Sequence, residues 1–373
     1  MINLDVEHRR TMVFVHLLND FSGSPRVLRD VIRAFEDKSD CRLYVGHSSS
    51  GFLTHCGIST TRYYYRHMQH RLLTLASYLF SQLVLFMRLL FDRSIGPDAL
   101  IYVNTLLPFG AALYGRLTGR RVVYHIHEVS LSPLPLKWFL IGIARFASSL
   151  NIFVSDAHRN ALPIAGVKSV RVYDALDSEL ATKAAASKYQ QFNDGFFNIL
   201  MVASLRDYKG VPEFLALAKA VEQERSIRFH LLLNESPGRI SSYMARRLQP
   251  RNLILHQSTA NVASYYRKAG LVMNLSRVDQ CVETFGLTVL EAMAFGIPVI
   301  VPPVGGPAEL TADGVHGFCV DSRDLNTLRE RVLQLMNDRD LCEKMSAACR
   351  ERAVDFSYKA FAGNIRTALD EIQ

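Results

Sequence analysis

The chain is poor in the features that would announce several common chemistries. Six cysteines in 373 residues, at 41, 56, 281, 319, 342 and 349, include no C-x-x-C pair, which removes the short-spaced zinc and dithiol motifs; they read as reduced thiols. There is no G-x-x-x-x-G-K-[ST] phosphate loop, no H-E-x-x-H metal motif, and no helix-turn-helix or RNA-binding signature, so no nucleic-acid partner is expected. With 13 Pro, 21 Gly and 49% hydrophobic residues, the composition excludes disordered and collagen-like chains. The densest apolar segment, Arg66 to Arg93, is broken by Thr74, Ser77, Ser81, Gln82 and Arg88 and is not expected to span a bilayer. It reads either as a core helix or as an Arg-flanked helix lying in a membrane interface, and Leu134 to Phe146, with Lys137, Trp138 and Arg145, has the same character. Met1 to Arg10 carries Asp5 and Glu7 ahead of a short apolar run, Met12 to Leu18, so no secretory signal is expected and the cytoplasm is the expected compartment.

What the chain does have is positive charge and length. Lys and Arg number 43 against 35 Asp and Glu, a formal +8, and the excess lies before residue 180, where 20 basic residues face 14 acidic ones. Such a surface suits an anionic partner, whether nucleic acid, lipid headgroups or phosphorylated small molecules, and charge alone does not choose among them. The length accommodates two domains. Short β-branched runs alternate with helical periodicity throughout, the pattern of parallel α/β sheets. Strands are predicted at Met12–Leu17, Leu43–Gly46, Ala99–Asn104, Val122–His125 and Asn151–Ser155, and again at Phe197–Ala203, Ile227–Leu233, Leu253–Leu255, Leu271–Leu275, Pro298–Val301 and Gly317–Val320. A polar, Ala-rich stretch from Ser178 to Asp194 separates the two series. The expected division is residues 1–180 and 181–355, both doubly wound, with a helix over 356–373 crossing back to the first domain.

The most informative run is Glu283-Thr-Phe-Gly-Leu-Thr-Val-Leu-Glu291, continuing through Gly296 and a buried strand to Gly305-Gly306-Pro-Ala-Glu309. An eight-residue Glu spacing recurs at Glu343 and Glu351, so spacing alone means little. The setting differs: Phe285 and Gly286 open an apolar helix, and Glu283 stands ahead of its N-terminus, where peptide N–H groups and the helix dipole favour an anion. On one ideal helix, eight residues separate two carboxylates by about 80° and about 12 Å, which suits two parts of an elongated ligand better than one metal.

These residues resemble the family-4 retaining glycosyltransferases of bacterial polysaccharide and lipopolysaccharide type. Their GT-B fold sets two Rossmann-like domains across a cleft, and the resemblance extends over nearly the whole chain. It implies that Glu283 lies by the donor sugar, that the backbone around Phe285 and Gly286 contacts sugar hydroxyls and phosphate with Thr284 and Leu287 beside it in the donor site, and that Glu291 holds the ribose hydroxyls. Lys209, in Arg206-Asp-Tyr-Lys209-Gly210, resembles the family's diphosphate-binding lysine; the usual Arg position is Ser204, which leaves Arg206 to reach the phosphates. His127, in Tyr124-His125-Ile-His127-Glu128, resembles the strand-end histidine that faces the donor sugar, with His125 a partly buried strand residue. Gly23 and Ser24 fall where the family carries a small loop near phosphates and acceptor. Val172-Tyr-Asp174-Ala-Leu-Asp177 departs from the family's Asn-Gly-x-Asp pattern.

The implied reaction is retaining, metal-independent sugar transfer from a nucleoside diphosphate sugar to a glycan or lipid-linked acceptor, with no cofactor. The Arg-rich first domain suits an anionic membrane, which would make the enzyme peripheral at the inner face of the cell membrane. The alternatives are a hydrolysing nucleotide-sugar epimerase on the same fold and a non-catalytic two-domain binding protein.

Overall fold

The computed structural model describes residues 11–372 except 36, 48–49, 130, 132 and 258–260; the Met1 to Arg10 segment, on which the reading of no secretory signal rests, lies outside the described residues. The chain folds as two compact units. One comprises the described residues through Val154, then Arg159–Val172 and the chain from Phe361 on; the other comprises Ser155–His158 and Tyr173–Ala360.

The first unit is built on seven parallel strands: β1 (Met12–His16), β2 (Cys41–Gly46), β3 (Ser59–Tyr63), β4 (Leu100–Asn104), β5 (Arg121–Ile126), β6 (Leu150–Phe153) and β7 (Ser169–Arg171), in the order β3-β2-β1-β4-β5-β6-β7. Every residue of β1, β4 and β6 is buried, which explains why these strands read as unbroken apolar runs: helices cover both faces of a parallel sheet. β3 and β7 escaped the sequence reading. Both are edge strands of polar composition, S-T-T-R-Y and S-V-R, lacking the apolar signal that burial imposes. The C-terminal helix Tyr358–Asp370 contributes Arg366, whose guanidinium donates to the Ala34 carbonyl oxygen (2.6 Å from Nη2) within this unit.

The second unit carries β8 (Phe197–Ala203), β9 (Ile227–Leu233), β10 (Leu253–Gln257), β11 (Leu271–Met273), β12 (Val299–Val301) and β13 (Gly317–Cys319), in the order β10-β9-β8-β11-β12-β13, again all parallel. Phe197, Ile199, Phe214, Phe229, Leu231, Leu271 and Met273 form its core. In both sheets the chain order reverses beside the first strand, between β1 and β4 and between β8 and β11. Crevices at the carboxyl ends of strands flanking such a switch are where doubly wound sheets take ligands.

The polar residues do not interrupt the helix itself: Arg71–Phe91 is a single 21-residue helix that is, by length and composition only, long and apolar enough to cross a membrane. Ser77, Ser81 and Gln82 lie on its buried side with Leu85 and Leu89, while Arg88 is exposed among the apolar residues of the other side. All six cysteines are free.

Candidate functional site

Around the second switch point, the segments that follow β8 and β11 converge on one carboxylate. After β8 the chain makes a tight 3-10 turn, Asp207–Lys209, and ends it at Gly210 with φ +82°. A Cβ at Gly210 would stand 2.0 Å from the Leu275 carbonyl oxygen. Only glycine lets this turn lie against the segment that follows β11, where the Arg277 N–H donates to the Tyr208 carbonyl oxygen (2.9 Å). That approach sets the Lys209 Nζ 2.5 Å from Glu283 Oε1. The Ser276 hydroxyl donates to the same oxygen (2.7 Å), and the Ser276 N–H donates to Asn274 Oδ1 (3.0 Å).

Burial alone would raise the Glu283 carboxyl, but the Lys209 ammonium and the hydrogen bonds from Lys209, Ser276 and Asn274 outweigh it and hold the group below its ordinary range. Burial would likewise lower Lys209, and Glu283 keeps it above its usual value. The pair is therefore charged at neutral pH.

The backbone after Glu283 is fixed by glycines on two chain segments. The Gly306 N–H donates to the Glu283 carbonyl oxygen (2.9 Å), and a Cβ on Gly306 would fall 2.3 Å from Phe285 Cα. Gly286, at φ +107°, is the residue before helix Leu287–Ala294. The Phe285 side chain is buried between Tyr173 and Phe356 (ring centroids 5.9 and 6.0 Å), which leaves its main chain, the part expected to meet the donor, for a ligand. The Thr284 carbonyl oxygen accepts from the Ser155 hydroxyl (2.6 Å). Leu287 opens the helix, and Glu291, buried on it, accepts from the Tyr266 hydroxyl (2.9 Å). Glu283 thus precedes the helix that carries Glu291. By contrast Glu343 and Glu351 are exposed on helix Arg339–Val354, with Glu343 paired to Arg339 (2.8 Å), as a solvated face requires.

Arg206 is exposed one turn before Lys209; its N–H donates to the Ser204 carbonyl oxygen (2.8 Å) and its carbonyl accepts from the Lys209 N–H (3.1 Å). Among the described residues no ion pair engages its guanidinium. Glu309 caps the start of helix Asp156–Ala161, accepting from the Asp156 N–H (3.0 Å) and the Ala157 N–H, and takes the Tyr173 hydroxyl as well (3.0 Å). Asp177 caps helix Ser178–Ala185 through the Glu179 and Leu180 N–H groups, a structural task for the segment that departs from the family pattern.

In the first unit, the ends of β1, β4 and β5 converge on Asn104. His127 Nε2 donates to Asn104 Oδ1 (2.9 Å), Asn104 Nδ2 donates to the Ser24 carbonyl oxygen (3.0 Å), and His16 Nδ1 lies 3.1 Å from the Asn104 carbonyl oxygen. Burial lowers His16 to about 4, which keeps it neutral. Ser24 and His127 are thus joined through one amide, while Gly23 begins helix Gly23–Arg33 in the open. His125 is fully buried, further than its predicted partial burial, with Nδ1 2.8 Å from the Tyr102 hydroxyl and its ring 4.4 Å from that of His127. Glu128 accepts from the Leu106 and His127 N–H groups (3.2 Å each); burial pushes it up to about 7 against those bonds. Next to it Thr105 holds φ +74°, a strained conformation for a β-branched residue.

Asn104, His16, Glu128, Asn274, Ser276 and Tyr266 were not singled out from sequence. Asn104 and Asn274 end or follow strands at the switch points, a position that could have flagged them. Tyr266, on the four-residue helix Ala263–Tyr266, gives no such signal.

Residues 183–352 match the model of the family described as glycosyl transferases group 1. An uncharacterized glycosyltransferase, MJ1178 of Methanocaldococcus jannaschii, is 26% identical over 209 residues, 54% of this chain and 57% of that protein. The D-inositol 3-phosphate glycosyltransferase of Corynebacterium diphtheriae is 26% identical over 226 residues, 53% of this chain and 52% of that one. The chain thus spans little more than half the length of these curated relatives. Among solved structures, Anabaena Alr3699/HepE in complex with UDP and glucose superposes with a TM-score of 0.76 at 19% identity, covering 97% of this chain and 100% of that one. A glycosyltransferase from Rickettsia africae gives 0.75 at 15%, covering 98% and 99%. The family model thus covers a little under half of the chain, and the two-sheet architecture along the whole chain is that of the GT-B fold.

Proposed function

We propose that this chain transfers a sugar from a nucleoside diphosphate sugar to an acceptor hydroxyl, with retention at the anomeric carbon and without a metal ion. The observation that carries this reading is the charged Lys209–Glu283 pair beside the helix that opens at Gly286, with Glu291 buried inside that helix. A diphosphate at that N-terminus meets peptide N–H groups and the Lys209 ammonium, with Arg206 free to swing towards it. Glu291 accepts from the ribose hydroxyls and Glu283 from the sugar. His127, held by Asn104 at the strand ends of the first unit, is the first-unit residue to substitute in the thermal-shift test of this reading. As the bond from sugar to diphosphate breaks, negative charge grows on the leaving phosphate, where Lys209, Arg206 and the helix N-terminus stabilise it without reorganising. The departing phosphate then takes the acceptor proton as the hydroxyl attacks from the same face.

The acceptor is a lipid-linked or polysaccharide-precursor glycan at the inner face of the cell membrane, a reading supported by the cationic first half of the chain. UDP is the first nucleotide to test, because the HepE neighbours were solved with UDP and with UDP-glucose. The test is a thermal-shift screen of UDP, GDP, ADP and dTDP and their sugars, repeated with Glu291→Ala and Lys209→Ala, since a ligand of the folded state must raise its stability. A shift for one nucleotide that both substitutions abolish supports the reading. No shift for any nucleotide opposes it, and free sugar released with no acceptor present would put a hydrolysing epimerase in its place.

A further inference from the structure

Helix Arg71–Phe91 is apolar on its outer side as well as its inner one. Its inner side buries Tyr78, Leu85 and Leu89 together with Ser77, Ser81 and Gln82, while Leu72, Leu79, Phe80, Leu83, Met87 and Leu90 form a stripe along the other side, up to 80% exposed at Leu72. A helix whose outer side faced only water would carry polar residues there. The buried polar groups are satisfied: the Ser81 hydroxyl donates to the Tyr78 carbonyl oxygen (2.6 Å), and Gln82 Oε1 accepts from the Gly110 N–H (3.2 Å) of the adjoining helix Phe109–Leu117. That contact needs glycine, because a Cβ there would lie 2.3 Å from the Gln82 carbonyl oxygen. The helix is thus locked with this stripe outward.

The stripe continues across the layer. Phe109 packs edge-on against Phe139 (5.2 Å) of helix Leu134–Ala147, which exposes Leu134, Trp138 and Phe146. The three helices carry Arg71, Arg88, Arg116, Lys137 and Arg145 and not one acidic residue. None of these five cations is in a salt bridge among the described residues, and the Arg116 guanidinium lies over the Phe146 ring (5.3 Å). Long cationic side chains bordering an apolar strip match a leaflet of anionic lipid, with stems along acyl chains and charges at headgroups.

We propose that this face of helices Arg71–Phe91 and Leu134–Ala147 docks in the plane of an anionic phospholipid leaflet, seating the first unit on the membrane without crossing it. Both ends of helix Arg71–Phe91 lead into β3 and β4, strands of one parallel sheet, so the helix lies against that sheet and offers lipid a single side. The inference extends the reading of a membrane-borne acceptor but needs no donor; nucleotide binding, scored separately, distinguishes failure of one from failure of the other.

Trp138 is the sole tryptophan, 66% exposed on this face, and so reports docking in the native chain. Titrating the full chain with vesicles of phosphatidylglycerol and phosphatidylcholine in equal parts should move its emission to the blue, with quenching by acyl-brominated lipid. Phosphatidylcholine alone, or high salt, should give little shift. Leu79→Ser with Leu83→Ser, at exposed positions that leave the melting temperature unchanged, should weaken lipid affinity about tenfold or more. Arg88→Gln with Arg145→Gln should erase the preference for anionic vesicles. An emission unmoved by saturating anionic vesicles overturns the proposal. So does an equal response of the serine variant, or a blue shift that grows with protein concentration in the absence of lipid, which would mean a second copy covers the face.

Discussion

Replacing Lys209 with methionine keeps the stem and removes the charge that Glu283 faces. The two groups are 2.5 Å apart with side chains only 24% and 18% exposed, so the substitution leaves a largely buried carboxylate without its cation. Removing one member of a fully buried pair costs about 3–5 kcal/mol, and the residual exposure here places the expected loss at about 2–3 kcal/mol at pH 7. The sign of the pH dependence is specific. In the native protein Glu283 titrates below its ordinary value, so its contribution is present above the unfolded-state pKa and is lost as pH falls through the folded one. In Lys209→Met burial dominates and the carboxyl rises, so that variant loses stability as pH increases. The gap between the two proteins should therefore be small near pH 4 and widen towards pH 7, by up to about 1.4 kcal/mol per unit. Adding Glu283→Gln removes the stranded charge and should recover about 1–2 kcal/mol of the loss at pH 7. Urea unfolding followed by far-ultraviolet circular dichroism at several pH values measures this, with Trp138 fluorescence as a separate report on the first unit. A Lys209→Met protein within about 0.5 kcal/mol of the native one at pH 7, or a gap independent of pH, would refute the reasoning.

Gly210→Ala, which sets a methyl 2.0 Å from the Leu275 carbonyl oxygen at φ +82°, should cost about 3 kcal/mol or more and displace Lys209, seen as a lower melting temperature and lost nucleotide binding. Tyr266→Phe removes the hydroxyl that holds Glu291; stability should fall by about 1–2 kcal/mol, and calorimetry should show several-fold weaker nucleotide binding with the site still formed. Glu128, raised to about 7 by burial, favours its protonated form in the folded chain, so its ionisation drains stability as pH rises from about 4.5 to about 7. Glu128→Gln should gain on the native protein over that window, by at most about 3 kcal/mol, when melting temperatures are compared at pH 5 and pH 8.

The central strands were legible because parallel sheets bury both faces of their strands: β8 and β9 match their predicted residues end to end. The polar edge strands β3 and β7 were not, since an edge imposes no such composition. The Phe-Gly and Gly-Gly context marked the second-unit site, and its physical reason is main chain against main chain at Phe285 and Gly306. Spacing could not reveal that Lys209 pairs with Glu283, because a contact across 74 residues depends on the order of strands in the sheet. Nor could the mixed composition of Arg71–Phe91 say which side of the helix would face out. The fit of Gln82 to Gly110 fixes the inner side, with Leu85 and Leu89 buried on it as well.

Calorimetric titration of UDP into the native protein, Lys209→Met, Glu291→Ala and Glu343→Ala addresses the donor site most directly. Lys209→Met and Glu291→Ala should lose binding while remaining folded. Glu343→Ala, altered in the solvated glutamate pair on helix Arg339–Val354, should bind like the native protein. Binding that survives both Lys209→Met and Glu291→Ala, or a native protein that binds none of UDP, GDP, ADP and dTDP, would contradict a donor site at these strand ends.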